Sequence, residues 1–140
     1  MTTKLKFENI AEDFEYLEDW DDRYKYLIEL GHGLVPLTPS EHNANTKVHG
    51  CASQTWIVWD REKGPDPVVN FRGDSDAHIV RGLVAVALSI FSGKRASEIL
   101  AIDERKDFER LRLSEHITPQ RSNGLRAMVR RVKEIAAAAL

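Results

Sequence analysis

Phe7, Ile10, Phe14 and Leu17 recur at helical spacing, which predicts an amphipathic helix over about residues 8–18. Asp19 follows, with a carboxylate that can accept from the free amides of a second helix. Trp20, Tyr24, Leu27 and Ile28 give that second helix an apolar stripe, and Gly31 or Gly33 is expected to end it in the left-handed conformation of a C-cap. So short a connection makes the two helices an antiparallel hairpin. The prolines at 36 and 39 bias the residues before them towards extended geometry. Residues 40–46 are polar and aperiodic, which reads as a surface loop.

Residues 55–59 are β-branched and aromatic, as suits a strand. Trp56 and Val58 point to one side and Ile57 and Trp59 to the other, so both faces are expected to be covered at least in part. Residues 61–66 read as a turn, and residues 67–72 return as a second strand with Val69 and Phe71 inward, completing a β-hairpin. Val48 and its neighbours are candidates for a further short strand at the sheet edge. Asp74-Ser75-Asp76 is a helix-start signal, and the run from Ala77 to Phe91 is apolar on nearly every side, which marks a buried central helix stopped by Gly93. Two short helices are expected over 97–102 and 103–111. The last opens at Thr118-Pro119 and buries Leu125, Met128, Val129, Val132 and Ile135. Gly124 interrupts that stripe at a cost of about 1 kcal/mol against alanine, which suggests that another backbone passes close by. Strands segregated from helices argue for an α+β fold: a helical hairpin, then a small antiparallel sheet packed on a buried central helix and a C-terminal helix.

The chain of 140 residues is the size of one domain, and its 42% apolar and 30% charged residues are ordinary for a globular protein. No apolar run approaches the roughly 18 residues of a membrane span. Residues 1–6 show no export signal, and with a lone thiol this points to a reducing compartment, the cytoplasm. A net charge of −2 argues against nucleic acid as a partner. The charge is unevenly spread, with Glu8, Glu12, Asp13, Glu15, Glu18, Asp19, Asp21 and Asp22 at the front and Arg121, Arg126, Arg130, Arg131 and Lys133 at the back. Either these are two solvated helix faces or they form a bipolar surface that steers a protein partner.

Cys51 is the sole cysteine, so it forms no internal disulfide and cannot supply a cysteine-rich zinc site. It is a buried apolar filler, a nucleophile, or a carrier of a group between partners. The thiolate is the reactive form of cysteine, so chemistry at neutral pH asks for a cation, a helix N-terminus or a base nearby. His49, two positions away, would share a face with Cys51 in an extended segment, and Arg121 starts the last helix. His32, His42, His78 and His116 show no metal-ligand spacing.

Gly50-Cys51-Ala52-Ser53-Gln54-Thr55-Trp56-Ile57-Val58 resembles the active-cysteine segment of the SufE family of sulfur acceptors. Glu29-Leu30-Gly31, Gly73-Asp74-Ser75-Asp76-Ala77 with Ile79-Val80-Arg81-Gly82-Leu83, and His116-Ile117-Thr118-Pro119-Gln120-Arg121 with Gly124-Leu125 and Ala127-Met128 agree in order and spacing, so the likeness covers roughly residues 7–135. The resemblance implies a single SufE-like domain over residues 1–140 with an α+β fold similar to the IscU-type scaffold. It implies that Cys51 accepts persulfide sulfur from a SufS-type cysteine desulfurase, stimulates that enzyme, and passes sulfur to a SufBCD-type cluster assembly complex. Pyridoxal phosphate would belong to the partner, with no cofactor on this chain, which is expected to be a monomer or weak homodimer without a nucleic-acid or membrane partner. CsdE-like acceptors share the same motifs and serve other sulfur-using pathways.

A carrier gains by shielding its persulfide in an apolar pocket and exposing it on docking. Gly50 and the small residues Ala52 and Ser53 allow such a swing, Ser53 and Gln54 are candidates to hydrogen-bond the loop, and Asp74 and Arg121 are candidates for pocket walls. Arg121 would stabilise an anionic sulfur, and Asp74 would orient Arg121 or the loop, unless Asp74 is only a helix cap. Against the carrier stand a Cys–His transferase or peptidase, for which no oxyanion-hole signature is present, and a cluster scaffold, which needs more thiolates than one chain offers.

Overall fold

The computed structural model describes residues 6–140. The stretch expected to be free of an export signal lies, up to residue 5, outside the described residues. Helices α1 (Phe7–Tyr16) and α2 (Trp20–His32) lead to strands β1 (Thr55–Arg61) and β2 (Val68–Ser75). The chain continues through helix α3 (His78–Phe91), strand β3 (Lys94–Arg95) and helices α4 (Ala96–Ala101), α5 (Glu104–Leu111) and α6 (Pro119–Ala139). The architecture is α+β, with one antiparallel sheet in the order β1-β2-β3.

Helix α3 is the centre. Leu83, Val84, Val86, Ala87 and Phe91 are fully buried, and only a stripe through His78, Arg81 and Ser89 meets water, so the helix is covered on nearly every side. On one side α2 lies against it at almost backbone contact: a Cβ on Gly82 would sit 2.2 Å from the Leu27 carbonyl oxygen, and one on Gly31 would sit 2.8 Å from Arg81 Cβ and from Gly82 N. On the other side lies the inner face of the hairpin, with Ile57, Val69 and Phe71 buried. The carboxyl-terminal helix α6 covers a further side of α3 and reaches α4 and β1. Helices α1 and α2 touch through Phe14, whose ring meets Trp20 and Tyr26 edge-on at 6.0 and 5.7 Å.

Local signals explain most boundaries. Asp19 accepts from the Asp21 amide and caps α2, and Thr118 accepts from the Arg121 amide at the start of α6, with Pro119 in the first turn. Several expectations are corrected. Gly33 ends α2 with φ −83°, so the left-handed cap is absent, and Gly31 is instead the seat for α3. Tyr24 is exposed, and Leu30 and Gly31 share the buried face of α2 with Leu27. Asp74 and Ser75 do not open a helix: they extend β2 opposite Trp56 and Thr55, and α3 starts at His78 without a side-chain cap. Val48 forms no strand. Its neighbour Lys47 makes a single bridge to Trp56, and the third strand is β3, at the far edge.

The outer face of the hairpin is covered by a strap rather than a free loop. Residues 38–46 begin with a 3-10 turn, Pro39–Glu41, and are stapled to the sheet. Glu41 makes a two-pronged ion pair with Arg72, and His42 Nε2 lies 2.9 Å from Asp74 Oδ2. The strap then zips onto β1, with Val48 N donating to Thr55 O at 2.7 Å and Ile57 N to Thr46 O at 2.9 Å. Part of the acidic front is tied within the molecule, since Arg110 of α5 binds Glu8 and Glu15, while Arg131 and Lys133 of the basic rear pair with Glu134 and Glu104 instead.

The contact at Gly82 yields a sign prediction. Alanine would gain about 1 kcal/mol in helix propensity. Its Cβ meets a carbonyl of α2 that has no flexible end to yield, and overpacking of that kind costs about 3 kcal/mol or more. Gly82→Ala is therefore expected to lower stability, read as a fall in the urea midpoint with an unchanged slope.

Candidate functional site

Cys51 sits in a loop whose two ends are fixed. At the amino side, Val48 is buried and bonded to Thr55. At the carboxyl side, Gln54 is held by its backbone: its N–H donates to Asp76 Oδ1 at 3.1 Å, and its carbonyl accepts from the Asp76 amide and from Ser75 Oγ. Between them Gly50 takes φ +93°, a left-handed geometry that glycine adopts without strain. That turn is what aims Cys51 at α6.

The thiol rests on the backbone of α6. Cys51 Sγ donates to the Gly124 carbonyl at 3.4 Å, and a Cβ on Gly124 would stand 3.6 Å from Sγ. The close passage suggested by a glycine within the last helix is the Cys51 loop itself. Around the sulfur lies a cavity of about 80 Å³, walled by Val80 and Leu83 of α3 and by Gln120, Arg121 and Met128 of α6. That is about half the 150 Å³ or so of a cavity that admits benzene, so the space suits one or a few atoms.

Desolvation decides the charge state. Burial pushes the Cys51 thiol above its ordinary value, and the Thr55 hydroxyl draws it back only in part. The resting group is a thiol that donates, consistent with its bond to Gly124.

The residues singled out in the sequence separate into two groups. Gly50, Cys51, Ser53, Gln54 and Arg121 come together here. Ser53 lines the cavity and its carbonyl accepts from Thr55 Oγ1, while Gln54 contributes through its backbone. His49 does not join: the turn at His49–Gly50 breaks the extended geometry on which a shared face depended, and its side chain is exposed. Asp74 lies outside the cavity lining and does not pair with Arg121; His42 and Arg81 take its two oxygens. The anchor that sequence reasoning missed is Asp76, together with Ser75. The Asp-Ser-Asp triplet carried the signal but was read as a helix start.

Comparison with known proteins fits this geometry. A family model described as "SufE: Fe-S metabolism associated domain" matches residues 8–136. The chain belongs to the SufE family. It is 51% identical over 128 residues to an uncharacterized SufE-like protein of Rhizobium etli, covering 91% of this chain and 86% of that one. It is likewise 51% identical over 127 residues to one of Rhizobium meliloti, covering 90% and 91%. A hypothetical protein of Thermus thermophilus solved in solution shares the fold, with a TM-score of 0.73 at 22% identity over 95% of this chain and 94% of that one. The family places this SufE-like chain in iron–sulfur metabolism.

Two outcomes follow for the thiol. Iodoacetamide should modify Cys51 more slowly in the folded protein than in urea, because the folded thiol ionises at higher pH and is half-covered. Removing the loop anchor with Asp76→Ala should raise the folded rate about tenfold, as expected for loss of one charge-assisted hydrogen bond. The linkage has a definite sign. A thiol whose folded value is raised contributes stability that is fully present below the unfolded value, near 8.5, and lost as pH rises through the folded one. Cys51→Ser should therefore flatten the alkaline limb of the stability curve, measured by urea unfolding between neutral pH and about 10.

Proposed function

We propose that this protein accepts sulfane sulfur on Cys51 from a SufS-type cysteine desulfurase, stimulates that enzyme, and delivers the sulfur to a SufBCD-type cluster assembly complex. The reading rests on one observation above the others: a half-buried thiol, on a loop with fixed ends, seated against a small, largely apolar-walled cavity that can take the atom it would carry. A hydrolase or acyltransferase is poorly served by His49, which faces solvent and offers no base beside the sulfur.

The transfer balances without an oxidant. The Cys51 thiol gives up its proton as it leaves the cavity, and the thiolate attacks the outer sulfur of the desulfurase persulfide. A bond forms between Cys51 Sγ and that sulfur while the sulfur–sulfur bond of the donor breaks. The donor cysteine leaves as a thiolate and takes up a proton. Return of the loop sets the new sulfur beside Val80, Leu83 and Met128, away from bulk reductant, with Arg121 at the rim as the cation nearest a persulfide anion. Pyridoxal phosphate is the partner's cofactor. Exposing a buried thiol only on docking limits wasteful exchange with other thiols, and we assign the cytoplasm as the compartment in which a lone cysteine stays reduced.

Incubation with a SufS-type desulfurase, cysteine and pyridoxal phosphate should add one sulfur atom to Cys51, seen in the intact mass and removed by dithiothreitol. The same protein should raise the turnover of the desulfurase. Persulfide formation undiminished in Cys51→Ser, or no gain of sulfur in the native chain, overturns the assignment.

A further inference from the structure

His42 presents a hydrogen-bond count that a neutral ring cannot meet. Its Nδ1 lies 2.9 Å from the Thr38 carbonyl oxygen and its Nε2 lies 2.9 Å from Asp74 Oδ2. Both neighbours are acceptors, a carbonyl and a carboxylate, while a neutral imidazole carries only one N–H. A proton on Asp74 would also meet the count, but the carboxyl faces the Arg81 guanidinium, with Oδ1 3.2 Å from Arg81 Nε and accepting from the Ser75 amide at 2.8 Å, surroundings that match a carboxylate. Only a ring that carries both protons donates to both acceptors at once. The Trp56 ring packs against it at 4.6 Å between centroids, the two planes 84° apart.

The position of this ring matters for the loop. Asp74 is the last but one residue of β2 and is followed by Ser75 and Asp76, which grip Gln54, while His42 belongs to the strap that zips onto β1 and runs through Val48 into the loop. Both ends of the Cys51 loop are thus referred to one point, the last residues of β2.

We propose that His42, as an imidazolium, is a positioning residue that pins the strap to Asp74 and so holds the Cys51 loop in its seat. Raising the pH removes one ring proton, one of the two hydrogen bonds becomes a contact between an acceptor and a lone pair, and the loop opens more often. The charged groups facing the ring are Asp74 and Arg72 from β2, Arg81 from α3 through Asp74, and Glu41 from the strap. Of these, Glu41 is held by Arg72 down at about 2 and stays ionised wherever an imidazole titrates, so the Glu41–Arg72 staple is constant across that range. The purpose assigned to the opening rests on the carrier reading above; the pinning itself does not.

The test needs no desulfurase. Nitrogen-15 NMR of the His42 ring should show both nitrogens protonated while the strap is closed, and a single unprotonated nitrogen there overturns the proposal. In parallel, the iodoacetamide rate at Cys51 is divided by the thiolate fraction read from ultraviolet absorbance. The corrected rate of the native protein should step upward about tenfold as His42 loses its proton, the size expected for loss of one charge-assisted hydrogen bond. His42→Gln should remove the step and stay at the upper level, and His42→Arg, a permanent cation, should remove it and stay at the lower one. Coincident native and His42→Gln profiles overturn the proposal, and if His42→Gln fails to fold the native NMR titration decides alone. Sulfur loading measured separately on the same proteins keeps the outcomes apart: loss of loading with an intact step sinks the carrier reading and leaves the pinning standing.

Discussion

The approach of α3 to α2 at Gly82 and Gly31 is the contact on which the other positions depend. With no Cβ on either glycine, the two helices meet at backbone distance, and the side chains before and after Gly82 acquire fixed directions. Val80 and Leu83 become one wall of the cavity beside Cys51, and Arg81 turns to Asp74 at the end of β2. Opposite them, α6 supplies a bare stretch of backbone at Gly124. The sulfur is therefore held between two helices whose separation is set by the core and not by the loop that carries it.

Two opposing effects act on the thiol, and desolvation outweighs the neighbouring hydroxyl. A catalytic cysteine that works unaided shows the reverse balance, with a cation or helix N-terminus lowering its value. Here the sulfur sits beside the second turn of α6, close to Arg121, yet it is half-covered and donates to a carbonyl, which favours the neutral form. Reactivity is thus coupled to exposure: whatever draws the loop outward restores water to the sulfur and with it the thiolate. The loop is held at its ends by a few polar links, each of the order of 1–2 kcal/mol, and by the packing of Cys51 on the core.

The sequence made legible those features that depend on neighbours along the chain. Asp19 and Thr118-Pro119 announce helix starts, the alternation at Val69 and Phe71 gives the inward face of β2, and the unbroken apolar run gives α3. Gly124 even foretold the passage of another segment. What stayed hidden depends on partners far away. Strand β3 is two exposed residues whose strand character comes only from pairing with Val68 and Val69. Asp74 and Ser75 have the composition of a cap, but pairing with Trp56 and Thr55 overrides it. His42 and Asp74 are 32 positions apart, and no periodicity relates them. The supposed partnership of Asp74 with Arg121 failed for the same reason, since the carboxylate was already satisfied by groups that the sequence could not bring to it.

Fixing the chain at Val48 and at Gln54 also sets a working radius. Each anchor lies three steps along the chain from the sulfur-bearing residue, and an extended chain advances at most about 3.5 Å per residue, so its backbone strays no more than about 10 Å from either peg. A tether so short cannot fish for a distant target. In the transfer proposed above, the donor must bring its own reacting group almost onto the surface of this chain, which makes the reach of the other molecule, and not of this one, the dimension that selects among candidates.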